Sequence, residues 1–373
     1  MKRSIVKITC IAGTRPNFIK VAPLINALNK VRNFKTELAH TGQHYDSTMS
    51  EIFFKELNIK KPEINIYSGS GSHSVQTGRI MTGLEKRFLK SRPDLVIVVG
   101  DVNSTLAAAL VTSKLHIPLA HVEAGLRSFD LTMPEEINRI VTDRLSDYLF
   151  TPSPDANENL VREGIDSNKV FFTGNIMIDT LVKFNNEIKH KDVLRKYELK
   201  KNEFCFLTLH RPSNVDNKKV FKKIAIALKK ISGDIKIVFP AHPRSLKKMK
   251  EFILKNYFNT KNIVLTEPIG YLDTIALVST ARFVITDSGG LQEETTYLNV
   301  PCLTLRENTE RPVTSAIGTN TVIGTNTELL MKMVTRILSG NYKKGKRPKF
   351  WDGNTAGRIA NILKSFHKLY DLV

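Results

Sequence analysis

The feature that most constrains the fold of this chain is a regular alternation of short apolar runs with longer amphipathic segments. In the first half, strands are predicted at 4–10, 35–40, 94–99, 117–122, 147–151 and 169–173. Helices are predicted between them near 16–31, 75–91, 103–115, 135–145 and 153–163. In the second half, strands are predicted near 203–209, 235–239, 262–266, 282–286 and 300–305. This alternation is typical of βα units and predicts an α/β fold with parallel sheets.

The chain has 373 residues, which is more than a single hydrophobic core usually supports. A lysine-rich, weakly patterned stretch at 174–202 separates the two halves. We therefore predict two doubly wound, Rossmann-like domains, an N-terminal domain at 1–175 and a C-terminal domain at 176–354. The last segment, 355–373, has the pattern of an amphipathic helix, and we expect it to pack back on the first domain.

The composition is that of an ordinary globular protein, with 41% hydrophobic and 25% charged residues. No apolar run approaches the ~18–20 residues that span a bilayer, and the first residues lack a signal-peptide pattern. Cys10, Cys205 and Cys302 are far apart and form no CxxC pair, so we expect free, buried thiols and neither a disulfide nor a metal site. These features predict a cytoplasmic protein.

The formal net charge of +20 raises the hypothesis of a nucleic-acid partner. However, the lysines lie on predicted helix faces, and no aromatic-interleaved RNA motif or helix-turn-helix pattern accompanies them. An anionic small molecule would benefit from the same positive field. We therefore expect a small anionic substrate, with no nucleic acid and no membrane span.

The motif GTRPNFIK, residues 13–20, follows the first predicted strand. Arg15 and Lys20 lie near a helix start whose first amides have no partner, and two cations beside such amides suit a phosphate. A proline-started helix with incidental surface charges is the alternative. No GxGxxG or GxxxxGK[ST] sequence occurs, so neither a dinucleotide cofactor nor a P-loop nucleotide is predicted.

Three carboxylates of the first half are placed to do acid–base chemistry. Asp101 and Glu123 each follow an apolar strand, and Glu135 lies in the first turn of a helix. Taken singly, such residues are usually helix caps or partners of the helix dipole. All three would nevertheless converge on the carboxyl edge of the first sheet, where neighbouring carboxylates in a partly dry cleft acquire different pKa values.

Strand ends of the second half have polar residues that suit a phosphate. His210 and Arg211 end one strand, and His242 ends the next. The stretch TDSGGLQEE, 286–294, combines a strand end, two glycines and a helix start, and it is followed by the polar RENTERPVT cluster at 306–314. Helix N-termini favour anions, and glycines let a phosphate approach the backbone. A capped turn and structural histidines are the alternatives.

Together these motifs resemble the non-hydrolysing UDP-N-acetylglucosamine 2-epimerase family, from GTRPNFIK through TGQH, GDVNST, HVEAGLRS, PEEINR, GNIMID, HRPSNVD, EPIGYLD and TDSGGLQEE to RENTERPVT. The resemblance implies the two-domain fold of glycosyltransferase-B enzymes, with the active site in the interdomain cleft. It also implies reversible conversion of UDP-GlcNAc to UDP-ManNAc, by elimination of UDP to 2-acetamidoglucal and re-addition, for cell-surface polysaccharide precursors. Neither a cofactor nor a metal is implied.

The resemblance also implies roles for single residues. Asp101, Glu123 and Glu135 would be the acid–base groups or their electrostatic partners, with His210 near the diphosphate. The implied UDP contacts are Arg15, Lys20, His242, Ser288, Gly289, Gly290, Glu294 and Arg311. Some members of the family bind a second UDP-GlcNAc as an allosteric activator, at positions matched here by Gln43, Arg211 and His242. The loop 68–76, Asp46 and Pro212 depart from the family pattern, and a homodimer is implied.

Other activities share part of this pattern. One is epimerisation of another UDP-2-acetamido sugar, such as a di-N-acetylated uronate. A second is a hydrolysing epimerase that releases ManNAc and UDP, against which the GTRPN start and the complete TERP cluster argue. A glycosyltransferase would need an acceptor site in place of the three carboxylates. A non-enzymatic sugar-nucleotide sensor would not require those carboxylates together.

Overall fold

A computed structural model describes residues 5–43, 56, 57, 59 and 61–370, without the side chains of Arg15 and 366–370. The chain divides into two compact units, which we describe separately. The first holds the described residues up to Lys183 and those from Lys349 onward, and the second spans Phe184–Pro348. The first unit extends to Lys183 because the helix that ends there packs against the first helix of the same unit.

The described strands of the first unit form one parallel sheet in the order β3-β2-β1-β4-β5-β6-β7. The strands are β1 (Val6–Ala12), β2 (Phe34–His40), β3 (Ile64–Asn65), β4 (Leu95–Val99), β5 (Leu119–Val122), β6 (Tyr148–Thr151) and β7 (Val170–Phe172). Every residue of β4 is buried, because helices cover both faces of a parallel sheet. The two-residue β3 is too short to have a sequence signal.

The helices of the first unit follow the strands in alternation. They are α1 (Arg15–Leu28), α2 (His73–Lys90), α3 (Asn103–Lys114), α4 (Pro134–Leu145), α5 (Pro154–Arg162) and α6 (Ile176–Lys183). A short 3₁₀ turn, Ser167–Lys169, precedes β7. Prolines occupy the first turns of α1, α4 and α5, where the missing N–H has no intrahelical partner to lose.

The C-terminal helix belongs to the first unit. It spans Thr355–Tyr370 and packs against α1 and α6. The Asp179 carboxylate on α6 accepts hydrogen bonds from the amides of Thr355 (3.0 Å) and Ala356 (2.7 Å) at the start of this helix. Just before it, the Trp351 indole N–H donates to the carbonyl of Pro152 (3.0 Å). These bonds hold the start of the C-terminal helix against the first unit. The amphipathic pattern alone could not predict these contacts.

The described strands of the second unit form another parallel sheet, in the order β10-β9-β8-β11-β12-β13. They are β8 (Phe204–Thr208), β9 (Lys236–Pro240), β10 (Ile263–Thr266), β11 (Phe283–Thr286), β12 (Cys302–Thr304) and β13 (Asn320–Val322). Two parallel sheets with alternating helices confirm the predicted α/β fold class. The sequence pattern did not predict β13, which is three residues long.

The helices of the second unit are numbered onward from the first. They are α7 (Asn185–Lys189), α8 (Val193–Lys196), α9 (Pro212–Val215), α10 (Lys218–Ile231), α11 (Pro243–Glu251), α12 (Lys255–Phe258), α13 (Tyr271–Thr280), α14 (Gly289–Leu298), α15 (Pro312–Ala316) and α16 (Thr327–Leu338). The C-terminal helix is α17. None of the described helices is long and apolar enough to cross a membrane.

The helix α10 shows how the lysine-rich pattern folds. The Asn217 side chain caps its first amides, and one face, including Phe221, Ile224 and Leu228, is buried against the sheet. Burying such a side chain stabilises the fold by roughly 1.5–3 kcal/mol. Its lysines all lie on the exposed face. They therefore add to the positive field without a packing role.

Candidate functional site

The backbone of Glu123 turns sharply at the end of β5. Its φ of +73° lies in the left-handed region, which is unfavourable for a residue with a side chain and is retained mainly at functional positions. The side chain is buried, at 3% exposure. Its Oε2 forms an ion pair with Nζ of Lys20 on α1, whereas Oε1 is buried and has no hydrogen-bond partner. One oxygen of this carboxylate is therefore paired, and the other is buried without a hydrogen-bond partner.

Glycine is required beside this ion pair, at the end of β4. Gly100 has a φ of +68°, and a Cβ added there would lie 3.1 Å from Nζ of Lys20 and 3.5 Å from Oε2 of Glu123. A side chain at this position would crowd both charged groups. The turn after β4 thus lies directly against the Lys20–Glu123 ion pair.

Asp101 follows Gly100 and is the more accessible carboxylate, with 27% of its side chain exposed. It forms an ion pair with Nη1 of Arg139 on α4. The Nη2 and Nε atoms of this buried arginine donate to Oε2 of Glu136, at 2.6 and 3.0 Å. The planar guanidinium can serve two carboxylates at once because its donors point in different directions. Arg139 therefore fixes the orientation of Asp101.

Of the adjacent pair Glu135 and Glu136, the second has a structural role. Its carboxylate accepts hydrogen bonds from the amides of Ser128 and Phe129 and from the Ser128 hydroxyl, between 2.8 and 3.1 Å. Burial alone would raise the pKa of Glu136, but these amides and the charge of Arg139 hold it below the ordinary value. Glu135 is half-buried in the first turn of α4. Its acid–base role stays a prediction.

The turn that begins α1 is tied to the same sheet edge. The Oδ1 atom of Asn17 accepts from the amides of Gly13 (3.2 Å) and Thr14 (3.1 Å), and its Nδ2 donates to the carbonyl of Val99 (3.0 Å). The side chain of Arg15 lies outside the described part of the structure. Lys20 contacts Glu123, as described above, and its predicted contact with UDP stays a prediction.

Gln43 contacts the N-terminus of α3. Its Oε1 accepts from the backbone amide (3.2 Å) and the hydroxyl (2.8 Å) of Ser104, and its own carbonyl accepts from Nε2 of Gln76 (3.0 Å). Gln43 therefore connects the end of β2 with α2 and α3. Its allosteric role stays a prediction, and Asp46 lies outside the described residues.

In the second unit, Asp287 connects the ends of two strands, β11 and β8. Its Oδ2 accepts from the amides of His210 and Arg211, both at 2.8 Å, and from Nδ2 of Asn214 at 3.1 Å. Nδ1 of His210 lies 3.0 Å from Oδ1. Burial alone would raise the pKa of Asp287, but His210 and these amides hold it below the ordinary value. His210 thus has a fixed ring orientation at the carboxyl edge of the second sheet.

The start of α14 has first-turn amides without a side-chain cap from Ser288. Gly289 packs so closely that an added Cβ would lie 2.6 Å from Nη1 of Arg311 and 2.9 Å from Oε1 of Glu310. Uncapped helix-start amides attract an anion. The predicted UDP contacts of Ser288, Gly289 and Gly290 stay a prediction.

A buried set of charges lies behind this turn. Arg311 forms ion pairs with Glu293 (Nε to Oε1, 2.8 Å) and with Glu310, and Arg306 pairs with Glu310 at 2.8 Å. Buried charges are tolerated when they are paired in this way. The structure thus places Arg311 against Gly289. The predicted contact of Arg311 with UDP remains untested.

Two further predicted residues lie near these elements. Glu294 is buried on α14 and hydrogen-bonds to the hydroxyl of Tyr271. His242 is exposed, caps α11 by accepting from the amide of Arg244 (3.1 Å), and has its ring centroid 5.6 Å from that of His210. The two histidines therefore form a pair at neighbouring strand ends.

Comparison with known proteins gives the family. A family model described as UDP-N-acetylglucosamine 2-epimerase matches residues 26–364. The chain belongs to this family. The resemblance drawn from the motifs is therefore confirmed. A curated relative from Methanocaldococcus jannaschii, named UDP-N-acetylglucosamine 2-epimerase, is 46% identical over 364 residues, covering 96% of this chain and 99% of the relative.

Other members of the epimerase family extend the comparison. A crystal structure of Methanocaldococcus jannaschii UDP-GlcNAc 2-epimerase in complex with UDP-GlcNAc and UDP superposes with a TM-score of 0.90 at 45% identity, covering 96% of this chain and 100% of that one. A Pseudomonas aeruginosa relative, named UDP-2,3-diacetamido-2,3-dideoxy-D-glucuronate 2-epimerase, is 37% identical and covers 96% of this chain and 99% of the relative. The likeness to solved epimerases confirms the two Rossmann-like domains.

Some residues of this epimerase site were not predicted from sequence. Asp287 and Arg139 lie within quoted motifs, but no role was assigned to them. A signal exists for Asp287, because a carboxylate directly after an apolar strand is a recurrent anchor for neighbouring strand ends. The double contact of Arg139 depends on tertiary placement of Asp101 and has no local signal. Among the described residues, no group of three His, Cys, Asp or Glu side chains is arranged to hold a metal ion.

Proposed function

We propose that this protein interconverts UDP-GlcNAc and UDP-ManNAc by reversible inversion at C2 of the sugar. The observation that supports this most directly is the state of Glu123. One carboxylate oxygen is paired with Lys20, and the other is buried without a partner at the carboxyl edge of the sheet. Family membership supplies the substrate class.

The chemistry proceeds by elimination and re-addition. A carboxylate removes the weakly acidic C2 proton while the bond from C1 to the UDP oxygen breaks, which gives 2-acetamidoglucal and UDP. Reprotonation on the other face and re-addition of UDP at C1 give the epimer. Asp101 and Glu123 follow neighbouring parallel strands, so they are the two groups that we assign to this proton transfer. Glu135 is the third, as an acid–base group or an electrostatic partner.

The second unit holds the leaving group in this proposal. The Ser288 side chain and the amides of Gly289 and Gly290 would meet the diphosphate, with His210 beside it. Fixed donors of this kind stabilise the negative charge that develops as UDP departs. Glu294 would contact the ribose hydroxyls, whereas Arg15, Lys20, His242 and Arg311 would supply further UDP contacts.

Incubation with UDP-GlcNAc in deuterated water, followed by NMR, tests this function. We expect deuterium at C2 together with formation of UDP-ManNAc. Free ManNAc accumulating with UDP would indicate a hydrolysing epimerase. Unchanged UDP-GlcNAc that nevertheless binds would indicate a sugar-nucleotide sensor or a different substrate.

A second candidate substrate is a UDP-2,3-diacetamido uronate, because the 37% identical relative is named as a 2-epimerase of such a sugar. The UDP moiety and the C2 chemistry would be shared, so the carboxylates do not distinguish the two. Comparison of kcat/KM for the two nucleotide sugars does. We expect a higher value for UDP-GlcNAc, because the relatives with 45–46% identity are named for that sugar.

Three further properties belong to the same proposal. We propose a homodimer, tested by multi-angle light scattering, and a cytoplasmic location, which the three free, buried cysteines favour. We also propose that a second UDP-GlcNAc activates the enzyme through Gln43, Arg211 and His242. If the conversion of UDP-ManNAc to UDP-GlcNAc depends sigmoidally on added UDP-GlcNAc, activation is supported. Hyperbolic kinetics that added UDP-GlcNAc does not change would refute activation.

A further inference from the structure

A buried histidine connects the two turns on which Asp101 and Glu123 lie. His121 is on β5, and its side chain is fully buried. Its Nε2 lies 2.8 Å from the carbonyl oxygen of Gly100, and its Nδ1 lies 2.6 Å from Oδ1 of Asp143 on α4. A carbonyl oxygen only accepts, so Nε2 donates to it. The imidazole therefore restrains the peptide group that precedes Asp101.

Asp143 extends this restraint to the other turn. Its Oδ2 accepts from the amide of Gly125 at 3.1 Å and from Nη1 of Arg127 at 2.7 Å. Burial alone would raise the pKa of Asp143, but the charges and hydrogen bonds of His121 and Arg127 hold it below its ordinary value. The imidazole ring therefore links the Gly100 carbonyl to the Asp143 carboxylate, which in turn holds the Gly125 amide.

The network continues from Asp143 to the surface. His121 and Arg127 face Asp143, and the outer side of Arg127 binds the carboxylate of Glu163, which is one-third exposed, through Nε and Nη2 at 2.7 and 2.6 Å. A buried ion pair such as Arg127–Asp143 is weak support for stability, because apolar side chains of the same volume often stabilise a core equally well. Its hydrogen bonds, by contrast, are directional. The network is better explained by what it holds in place.

The two turns it holds have left-handed backbone conformations. Gly100, Glu123 and Gly125 all have φ between +68° and +79°, a region that glycine adopts readily but that is unfavourable for Glu123. The Glu123 conformation persists only where surrounding contacts determine it fully. Among the described hydrogen bonds, His121 contacts the Gly100 carbonyl in one turn and Asp143 accepts from the Gly125 amide in the other. The two side chains also contact each other, so they form one network between the turns. Loss of these bonds would leave the backbone bond from the Gly100 amide to the carbonyl of Val122 (3.0 Å) as a remaining link, and we expect this loss to loosen both turns.

We propose that His121, together with Asp143, is a positioning residue that fixes the mutual placement of Asp101 and Glu123. It does not touch the substrate. Its effect is on the step that needs both carboxylates at once, the proton exchange at C2, and not on UDP binding, which depends on the second unit. This inference rests on the proposed epimerase function for its kinetic consequences only.

The test compares His121→Phe, which retains an aromatic ring and removes both ring nitrogens, with a matched control in the same unit. The control is Asp179→Asn, because Asp179 is also a buried carboxylate that accepts two backbone amides, but at the start of α17. We expect His121→Phe to lower kcat on the order of 100-fold, since small displacements of catalytic groups have effects of that size. The Kd for UDP, measured by calorimetry, should change less than twofold. Asp179→Asn should lower the melting temperature and leave kcat unchanged.

A conservative variant and a structural measurement complete the experiment. His121→Gln retains one donor that can reach the Gly100 carbonyl, and we expect it to recover part of kcat. Hydrogen exchange should accelerate in the peptides that contain Gly100 and Gly125 in His121→Phe, but not in Asp179→Asn. If kcat stays at the wild-type value, or if exchange rises uniformly across the first unit, His121 only stabilises the fold and the proposal is wrong. An inactive wild-type protein would refute the proposed function alone, because the exchange measurement tests the positioning role without turnover.

Discussion

Lys20 and Glu123, which are 103 positions apart in the chain, form a buried ion pair between α1 and the turn after β5. The pair links the GTRPNFIK motif to one of the three predicted carboxylates. It also leaves Oε1 of Glu123 as a buried atom without a partner. A buried carboxylate oxygen gains from a hydrogen bond, which a substrate or a water molecule can supply here. The relationship therefore supports placement of the reacting sugar beside Glu123.

We expect Glu123→Gln to reduce epimerisation by at least about 100-fold, because an amide cannot exchange a proton in place of a carboxylate. UDP affinity should be nearly unchanged. The measurement is the rate of C2 deuterium incorporation, alongside calorimetric titration with UDP. Glu158→Gln is the control, since Glu158 is an exposed helix residue with a 3.5 Å surface ion pair to Arg162. A variant at position 123 with the wild-type rate would remove Glu123 from the mechanism.

The stability contribution of Asp287 should depend on pH in a defined direction. Its pKa is lowered in the folded protein from the ordinary value of 3.8, so its ionised form stabilises the fold above that value. The contribution is lost as pH falls through the lower, folded pKa. We expect Asp287→Asn to cost about 1–3 kcal/mol at pH 7, by loss of charge-assisted hydrogen bonds. Denaturant unfolding of both proteins should show that difference persisting to about pH 4 and narrowing below pH 3.8. A difference that widens in acid would contradict the assignment.

A methyl group at position 289 should disturb the start of α14. The Cβ of Gly289→Ala would lie 2.6 Å from Nη1 of Arg311, so the buried ion pairs behind the turn must shift. Overpacking of this kind costs about 1–3 kcal/mol, and UDP binding should weaken as well. Gly78→Ala is the matched control, because Gly78 lies on α2 with nothing within 4 Å of an added Cβ. That substitution should stabilise the protein by about 0.5–1 kcal/mol. Equal effects of the two substitutions on unfolding would refute the close packing at Gly289.

The cysteines should be unreactive in the folded protein. Burial raises the pKa of Cys10 to about 12 and that of Cys302 to about 11, and it also raises the pKa of Cys205. Because the thiolate is the reactive form, a thiol reagent should label the native protein very slowly at pH 8. Three thiols should react after denaturation. Rapid labelling of the native state at any of the three would show that a strand opens locally.

Much of the site could be expected from the chain alone. Periodicity predicted the strands whose ends bear Asp101, Glu123, His210 and Asp287, because the alternation of apolar and polar residues is a local property. Strand ends of a parallel sheet lie at one edge, so the convergence of Asp101 and Glu123 within the first unit followed from order in the sequence. The combined motifs were specific enough to identify the family before any coordinates.

What local pattern could not determine is which side chains pair across the fold. Nothing in PEEINR distinguishes Glu135 from Glu136, and only the tertiary contacts show that the second binds Arg139 and the Ser128 amide. The same holds for Lys20, which was expected at a phosphate and lies against Glu123.

The physical reason is that a hydrogen bond or an ion pair forms only when its two atoms are placed to within a few tenths of an ångström, and these atoms often belong to residues far apart in the chain. Helix and strand propensities depend on neighbours. The amino-acid sequence therefore determined the elements, their order and the family. The tertiary structure decided the partners of each charged group, including the His121–Asp143 pair that joins the two catalytic turns.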